Sequence, residues 1–388
     1  MVLIETAILL LSFSILAAYL LLEFIHRPGS QGFDFKDGTV LPRVSILKPV
    51  SNMDDGMEAN LETFFTIDYP AYEVIFGLDT DDAACRELIE KVIKKYPAVN
   101  ARLILCRKEK KLNPKITTLS NIEPHASGDI FWMTDSNVRV ESDTLKLLVR
   151  EYLENGSKIV FSPIIGSGSE TLGSIIENSY LNYFVSGSII AGWKIAGEQI
   201  IVGKSMLIEK ETLLKFGGFT HFKEYLAEDF IMGRVYTENK FHVSMNYTWV
   251  TNYISRASIS KFWHRVVRWA KIRYNTERLF YFIEIILNPI AIAFLFIPFT
   301  GARGLVLFLS AAGAKIVLEY LNLFVVNGRD ARKLRVLALY PVSVLLKDFL
   351  LFFIYLSPFF SKEVFWRGMH IKIDNMGKIV SINSQAKA

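Results

Sequence analysis

The stretch FWMTDSNVRV, residues 131 to 140, begins as an apolar strand and ends by placing Asp135, Ser136 and Asn137 side by side. Such short oxygen-bearing side chains weaken a strand, and they commonly close one in a turn because they bond to nearby backbone groups. A second interpretation places the cluster at the carboxyl end of a buried parallel strand, where open α/β sheets bind their ligands. A carboxylate at that point can hold a divalent cation.

Strand-like and helix-like segments alternate on both sides of this stretch, between residues 42 and 250. The short apolar runs cover residues 44 to 47, 72 to 78, 101 to 105, 130 to 134 and 158 to 161. Helical patterns lie between them, at 84 to 95 and at 142 to 153, the second with Ser142 as a plausible N-cap. This alternation predicts an α/β domain with a largely parallel sheet that is covered on both faces.

Apolar blocks lie on both sides of this domain, one at the N-terminus and three between residues 281 and 360. Residues 2 to 22 carry one charge and are long enough to cross a hydrocarbon layer of about 30 Å, and we interpret them as a retained anchor because no cleavage site follows. Three further blocks, 281 to 300, 303 to 326 and 336 to 360, could each span a bilayer. They contain five ionisable groups that we expect to be paired or to face protein, water or head groups, because such groups are costly against lipid: Glu284, Lys315, Glu319, Lys347 and Asp348.

The formal charge of +5 is concentrated between residues 255 and 280, where seven basic residues stand against one acid. Apolar residues recur there at helical spacing, which is typical of an amphipathic helix on an anionic leaflet. Membrane lipids are therefore the expected partner of this surface, and nucleic acid is not. The predicted segments are an anchor (1 to 25), a linker (26 to 41), an α/β domain (42 to 254), the basic helix (255 to 280), membrane helices (281 to 360) and a basic tail (361 to 388).

The cysteines and one apolar segment within the α/β domain narrow the possible structures further. Cys85 and Cys106 are too few for a disulfide framework and lack the spacing of a metal site. Residues 171 to 200 are apolar but interrupted by glycines and polar residues, so we expect a groove or interface lining on the acceptor side rather than a second span.

Charged clusters follow the strands in an informative order along the chain. They are the aspartates of GLDTDD (Asp79, Asp81 and Asp82), then Asp135, then the pair Glu228 and Asp229, then Arg265, Arg268 and Trp269 in RVVRW. A turn or a helix cap explains any single acidic cluster. Three carboxylates at one strand end, however, repel each other unless a ligand or cation is bound.

Together these clusters resemble the family 2 glycosyltransferases with a GT-A fold, and ceramide glucosyltransferases more closely. The resemblance covers most of residues 43 to 273, through RVSILKPV, LETFFTIDYPAYEVIFGLDTDD, NPK at 113 to 115, DSNVRVESDTL, AEDFIMG and RVVRWAKIR. It implies a nucleotide-diphospho-sugar transferase domain with an N-terminal transmembrane helix and C-terminal transmembrane or interfacial helices.

The resemblance also implies a donor site. Asp79 resembles the residue that contacts the uracil or ribose of a UDP-sugar, Asn113 and Lys115 would help to hold the nucleotide, and Asp81 and Asp82 would line the same mouth. Asp135 resembles the metal-binding aspartate, and the implied cofactor is a divalent cation, Mn²⁺ or Mg²⁺. Asn137 stands where the common Asp-x-Asp form has its second aspartate, which puts the affinity for the ion in doubt.

The acceptor side follows from the same resemblance. Asp229 resembles the general base of an inverting transfer, and we expect Glu228 to point away from it, because neighbours on a strand-like approach face opposite directions. Arg268 would stabilise the leaving diphosphate and Trp269 would line the acceptor site. Arg265 would either bind the nucleotide sugar or meet lipid phosphates.

The implied activity is transfer of a hexose, glucose by the closest resemblance, from a UDP-sugar to the primary hydroxyl of a lipid, ceramide above others. A hopanoid N-acetylglucosaminyltransferase shares these motifs, and a membrane-tethered nucleotide-sugar binding protein without turnover is the alternative of another class. We expect the α/β domain on the cytoplasmic side of a bacterial inner membrane. The basic loop 327 to 335 and the basic tail both favour the cytoplasm, so we expect the block 336 to 360 to be re-entrant or interfacial.

Overall fold

The computed structural model describes residues 2–27, 33–107, 109, 112–197, 200–366, 369–374 and 376–384. The chain forms two compact units. The sheet unit contains Arg27–Ile164 and Ala196–Tyr253, and the membrane unit contains Met1–His26, Ile165–Ile195 and Ile254–Ala388. The predicted α/β domain is therefore interrupted, because Ile165–Ile195 belongs to the membrane unit. Residues 28 to 32 of the predicted linker, and residues 367, 368, 375 and 385 to 388 of the predicted tail, lie outside the described residues.

The secondary structure follows the predicted alternation. The strands are β1 Val44–Val50, β2 Tyr72–Leu78, β3 Asn100–Leu105, β4 Ile130–Thr134, β5 Val138–Arg139, β6 Ile159–Phe161, β7 Ile164–Gly168, β8 Ser205–Glu209, β9 Val243–Met245, β10 Val250–Ile254, β11 Glu363–Trp366, β12 Met369–Ile373 and β13 Ile379–Ser384. The α-helices are α1 Val2–Ile25, α2 Met57–Glu62, α3 Ala83–Lys95, α4 Pro114–Ile122, α5 Thr144–Asn155, α6 Leu172–Ser179, α7 Ser186–Ala191, α8 Lys210–Lys215, α9 Glu228–Glu238, α10 Ile259–Thr276, α11 Arg278–Ile286, α12 Pro289–Thr300, α13 Ala302–Val326 and α14 Leu334–Phe360.

The central sheet of the sheet unit has the strand order β3-β2-β1-β4-β8-β6-β9. Four of its six pairings are parallel, and β8 runs antiparallel to both β4 and β6. The prediction of a mostly parallel sheet is confirmed. Its central strands are buried along their whole length, as expected for strands with both faces covered.

Helix α5 begins one residue later than predicted. Asp143, not Ser142, stands at its N-cap, and no side-chain cap bond is present there. The carbonyl of Ser142 accepts a hydrogen bond from the Asp68 N–H at 2.8 Å, so this residue is tied to the loop before β2.

Among the described residues, three helices of the membrane unit are long and apolar enough to cross a membrane, namely α1, α13 and α14. Helices α11 and α12 pass the same test only as a pair, and they are bent by 64° at their junction. Asn288 and Pro289 explain the break, because the Asn288 side chain caps α12 and Pro289 supplies no N–H to the preceding turn. The discontinuity therefore falls in the predicted block 281 to 300, whereas α14 is unbroken.

The five ionisable groups predicted to face protein, water or head groups in the C-terminal blocks are paired inside the protein. The Glu319 carboxylate contacts Lys347 at 2.5 Å and Lys315 at 3.2 Å, and Lys315 lies 3.7 Å from Asp348. Glu284 pairs with Arg273 of α10 at 3.0 Å. The expectation that these groups face protein is confirmed.

The segment that interrupts the sheet unit is a nearly continuous helix, in which two π-helical stretches, Tyr180–Val185 and Gly192–Ala196, alternate with α6 and α7. It packs among the apolar helices, and the Tyr183 hydroxyl donates to the Leu16 carbonyl of α1 at 3.0 Å. The prediction of an interface lining matches this packing. A role on the acceptor side stays a prediction.

The basic helix α10 is held by protein groups along its polar face. Lys271 donates to the Glu363 carbonyl, and the His264 ring contacts the Phe365 ring at a centroid distance of 5.3 Å. These contacts dock the antiparallel tail sheet, β11 to β13, on α10. Some of the basic side chains of α10 that were predicted to contact lipid head groups therefore contact protein groups instead.

Candidate active site at the carboxyl ends of the strands

The order β3-β2-β1-β4 creates a crevice at the carboxyl edge of the sheet, because the chain leaves β1 toward β2 and later returns on its other side as β4. In open α/β sheets, ligands bind at such a switch point. Asp135 follows β4 directly, and Asp79 follows β2 directly. The Asp79 N–H donates to the Val50 carbonyl at 3.1 Å, so the ends of β1 and β2 are joined there.

Two ammonium groups hold the Asp135 carboxylate. Lys204 contacts Oδ2 at 2.7 Å, and Lys115 contacts Oδ1 at 3.0 Å. Burial alone would raise the pKa of Asp135, but the two lysines outweigh it and hold that pKa well below its ordinary value. The carboxylate is therefore ionised throughout the neutral range, and Asp135 can receive a cation.

The turn that carries Asp135 is supported from the sheet. Lys48 of β1 is fully buried, and its Nζ donates to the Thr134 hydroxyl at 2.8 Å and to the Asp135 carbonyl at 3.0 Å. The same nitrogen lies 3.4 Å from the centre of the Phe64 ring. The Ser136 hydroxyl bonds to the Asp54 carboxylate. Sheet and loop groups therefore fix the backbone of the turn, so the position of Asp135 does not depend on a bound ligand.

The two predicted metal ligands supply hard oxygen donors from one turn. The Asn137 side-chain oxygen accepts a hydrogen bond from the Lys204 ammonium at 3.0 Å, which places it and Asp135 around the same point. Within the described ranges, no group of three His, Cys, Asp or Glu residues could hold a metal by itself. One carboxylate and one amide oxygen nevertheless suit Mg²⁺ or Mn²⁺ when substrate phosphates complete the coordination. The donor set fits a cation that binds together with a diphosphate.

Lys115 connects the two acidic parts of the site. It lies in the first turn of α4, and its ammonium contacts Glu228 at 3.1 Å and the Gly203 carbonyl at 2.7 Å in addition to Asp135. Burial would lower the pKa of Lys115, but the surrounding carboxylates raise it above its ordinary value. Lys115 therefore carries a permanent positive charge in the centre of the cluster.

Asn113 has a positioning role in the structure. Its side-chain oxygen caps α4 by accepting from the Lys115 and Ile116 N–H groups, and its amide donates to Glu228 and to the Tyr225 carbonyl, each at 2.9 Å. The residue is fully buried. Both ends of the amide are thus used by protein groups, which argues against the predicted direct contact with nucleotide.

Glu228 and Asp229 start α9, so the strand-like geometry expected for them is wrong. Both side chains lie near Lys115. The Asp229 carboxylate accepts hydrogen bonds from the Gly203 N–H at 2.7 Å and from its own neighbour, the Phe230 N–H, at 2.9 Å. Burial first, and the charge of Glu228 second, raise the pKa of Asp229 to about 6, against the opposing effect of Lys115. A carboxylate with such a pKa is ionised at neutral pH yet basic enough to take a proton.

The three aspartates after β2 have different surroundings. Asp82 is the N-cap of α3, where its carboxylate accepts from the Ala84 N–H at 3.0 Å and the Cys85 N–H at 3.2 Å. Asp79 is buried, and it accepts from the Thr118 hydroxyl of α4 at 3.3 Å. Asp81 is exposed. Helix capping therefore accounts for Asp82, and the predicted contact of Asp79 with the nucleotide stays a prediction.

The predicted residues of RVVRW belong to the membrane unit. Arg265 of α10 pairs with the buried Glu177 of α6. The Arg268 guanidinium lies 5.1 Å from the Trp366 ring of the tail sheet, and Trp269 stacks on Tyr180 at 6.4 Å. The guanidinium of Arg265 is thus paired within the protein, and its predicted contact with a nucleotide sugar or with lipid phosphates stays a prediction.

Sequence patterns missed Lys48 and Lys204. Both are lysines in or beside apolar strands, and no spacing along the chain links them to Asp135. The antiparallel register of β4 and β8 pairs Thr134 with Ser205, and this pairing places the preceding Lys204 opposite Asp135. The proximity of Lys204 to Asp135 can therefore be known only from the pairing of β4 with β8.

Comparison with known proteins identifies the family of this chain. The family model described as "Glycosyl transferase family 21" matches residues 7–379. The chain is 28% identical over 239 residues to ceramide glucosyltransferase 3 of Caenorhabditis elegans, a match that covers 61% of this chain and 52% of that protein. It is 33% identical over 120 residues to the ceramide glucosyltransferase of Komagataella phaffii, which covers 29% of this chain and 24% of that one. The match with the nematode relative thus spans about half of its length.

A solved structure shares the fold. The mannosyltransferase PcManGT from Pyrobaculum calidifontis, in complex with GDP-Man and Mn²⁺, aligns with a TM-score of 0.52 at 16% identity and covers 93% of this chain and 99% of that chain. The similarity confirms the GT-A-like architecture. Because the family model covers nearly the whole chain, the protein belongs to glycosyl transferase family 21.

Proposed function

We propose that this family 21 glycosyltransferase transfers a hexose, glucose in the first place, from a UDP-sugar to the primary hydroxyl of a membrane lipid, with inversion at the anomeric carbon. The observation that carries the proposal is Asp229, a carboxylate with a raised pKa beside a cluster of fixed positive charge. The ceramide glucosyltransferases among the relatives support ceramide as the acceptor. A hopanoid with a free hydroxyl is the alternative acceptor.

In this reaction Asp229 takes the proton of the acceptor hydroxyl. The Gly203 N–H holds Oδ2, so the carboxylate keeps one orientation while the proton moves. The acceptor oxygen forms a bond to the anomeric carbon from the face opposite the diphosphate, and the bond between that carbon and the diphosphate oxygen breaks. An α-linked donor then gives a β-linked product, and UDP leaves with the bonding electron pair.

The leaving diphosphate needs positive charge. Lys115 supplies a fixed ammonium beside Asp135, and Asp135 with Asn137 would hold a divalent cation, which when bound would neutralise the negative charge that develops on the diphosphate. Mn²⁺ and Mg²⁺ both suit these oxygen ligands. Asp79 is proposed to bind the uracil or ribose. Arg268 is proposed to stabilise the leaving diphosphate, and Trp269 is proposed to line the acceptor site.

The site favours an enzyme over a binding protein without turnover, because a carboxylate held in one orientation by the Gly203 N–H, close to the ammonium of Lys115, suits a general base, which binding alone does not require. We further propose that the sheet unit lies on the cytoplasmic side of a bacterial inner membrane, where nucleotide sugars are available.

The test is a transfer assay with purified protein in detergent and Mn²⁺. UDP-glucose, UDP-galactose and UDP-N-acetylglucosamine are offered in parallel with ceramide and with a polyol hopanoid, and lipid products are read by mass spectrometry. One hexose added to ceramide is the expected result. A hexosamine added to the hopanoid alone would overturn the substrates, and UDP binding without any lipid product would favour the binding protein.

A further inference from the structure

Lys204 lies where the proposed cation would lie. Its ammonium is 2.7 Å from Asp135 Oδ2 and 3.0 Å from Asn137 Oδ1, the two oxygens that the chain offers as metal ligands. A divalent ion bound to the same two oxygens would have to come within about 2.0 to 2.6 Å of them. An ammonium and a divalent cation cannot share that position, because both are positive and both need the same lone pairs.

The charges around Asp135 explain why the lysine is stable there. Asp135 has Lys115 on its other oxygen, and Lys115 is also bound by Glu228 and by the Gly203 carbonyl. Lys115 is thus fixed by three acceptors from separate segments. Lys204 stands at the end of the loop before β8, on a flexible stem of four methylene groups that can reorient.

We propose that Lys204 is the resident counter-ion of the cation position and makes cation binding depend on the nucleotide. Without nucleotide, Lys204 occupies Asp135 and Asn137, and the cation is excluded. When a diphosphate arrives, its oxygens supply new ligands for the cation and a new anionic partner for Lys204, which moves from Asp135 to the phosphate. This inference deepens the proposed function and rests on its donor site, although it does not depend on which lipid is the acceptor.

The arrangement has a chemical benefit. A cation that binds only together with the nucleotide also leaves when UDP leaves, so the site does not retain a metal between turnovers. The displaced ammonium adds a second positive charge to the diphosphate, beside Lys115, at the stage when negative charge develops. Lys204 is in this view a residue of the donor site that also sets the order of binding.

The experiment measures Mn²⁺ binding rather than transfer. Purified full-length protein in detergent is titrated with Mn²⁺, and free Mn²⁺ is followed by its electron paramagnetic resonance signal, with and without UDP. The variants are Lys204→Met, which removes the charge at nearly constant length, and Lys204→Arg, which retains the charge. Lys158→Met is the matched control, because Lys158 pairs with Glu209 at 2.6 Å elsewhere in the sheet unit.

Without UDP, Lys204→Met is expected to bind Mn²⁺ about tenfold or more tightly than the wild type, because a positive charge beside the ion has been removed. Lys204→Arg and the Lys158 control should bind it as weakly as the wild type. UDP should increase Mn²⁺ affinity strongly in the wild type and much less in Lys204→Met. Equal Mn²⁺ affinity in the wild type and Lys204→Met, tighter binding in Lys204→Arg, or no Mn²⁺ binding even with UDP would each overturn the proposal.

These outcomes separate the inference from the proposed function. If no lipid is glycosylated but Lys204→Met binds Mn²⁺ more tightly, the proposed activity fails and the role of Lys204 stands. If lipid is glycosylated but the wild type and Lys204→Met bind Mn²⁺ with equal affinity, the proposed activity stands and the proposed role of Lys204 fails. Thermal unfolding of each variant confirms that it is folded before titration.

Discussion

The substitution Glu228→Gln tests the electrostatic account of the base. Glu228 is the second cause, after burial, of the raised pKa of Asp229, which is about 6 compared with an ordinary 3.8. Glutamine removes the charge and keeps the shape. Its single carbonyl oxygen can accept from Asn113 or Lys115 but not from both, so one of the two contacts of Glu228 is lost.

The sign of the pH effect follows from the chemistry. Asp229 must be deprotonated to take a proton, so activity is lost as pH falls through the pKa of Asp229, near 6 in the wild type. Without the neighbouring negative charge, ionisation of Asp229 is easier, and the acidic limb should move to roughly pH 5. At pH 5 the ionised fraction of Asp229 would then rise roughly fivefold, since one pKa unit is a tenfold change in the ionisation equilibrium.

The assay is the pH dependence of kcat/KM for transfer, because this ratio reports the ionisation of the free enzyme. The control is Glu211→Gln, which changes an exposed glutamate of α8 and should leave the profile unchanged. An acidic limb that stays near pH 6 in Glu228→Gln, or one that moves to higher pH, would refute the assignment of Asp229 as the titrating base.

Three further predictions concern the aspartates after β2, Lys115 and the two ends of α14. Asp82→Ala should lower the free energy of unfolding by about 1 kcal/mol, because the α3 cap is lost, and should leave UDP affinity unchanged. Asp79→Ala should weaken UDP binding. Calorimetry that shows the same loss of UDP affinity in both variants would contradict this distinction. Lys115→Met should abolish transfer and destabilise the fold by about 3 kcal/mol, because it leaves the buried Glu228 carboxylate without its cation and Asp135 with Lys204 alone. Unchanged thermal unfolding would argue against this role. Cysteines placed at Arg332 and at Lys372, in a chain without its native cysteines, should be labelled from the same side of the membrane; labelling from opposite sides would show that α14 crosses it.

The topological prediction depends on contacts within the membrane unit. The loop before α14 is tied to β7, since the Gly168 N–H donates to Asp330 at 3.1 Å and Lys333 donates to the Gly168 carbonyl at 2.6 Å. The tail sheet after α14 is docked on α10. Helix α10 begins a few residues beyond Ser255, whose carbonyl accepts from the Glu170 N–H at 2.9 Å, close in sequence to the same β7. Both ends of α14 are thus tied to protein groups, but the helix has 27 residues and is long and apolar enough to cross a bilayer. The re-entrant or interfacial position of this segment stays a prediction.

Five strands of the central sheet, β1 to β4 and β6, were predictable because each is a largely apolar run bounded by polar residues, whereas β8 and β9 were not predicted. The segments 72 to 78 and 130 to 134 coincide with β2 and β4, since burial on both faces makes the whole strand apolar. The position of Asp135 at a strand end could be predicted for the same reason.

The assignment of residues 165 to 195 to the membrane unit could not be predicted from the sequence. An apolar helix has the same residue pattern whether it covers a sheet or packs among membrane helices.

The site was only partly predictable. Asp135, Lys115 and Asp229 come together as their motifs indicated, but the capping roles of Asn113 and Asp82 depend on where helices α4 and α3 begin. The part played by Lys204 depends on the register between β4 and β8, which no local pattern encodes. Motifs thus identify the chemical groups of a site, and strand pairing decides which groups meet.

The most direct test of the central claim is Asp229→Asn, measured for transfer rate and for UDP-sugar affinity on the same preparation. Asparagine can still accept a backbone hydrogen bond but cannot take the acceptor proton. We expect transfer to fall roughly 10³-fold with nearly unchanged UDP-sugar affinity. Transfer that persists at a similar rate, or a loss of UDP-sugar affinity that accounts for the whole fall, would contradict it.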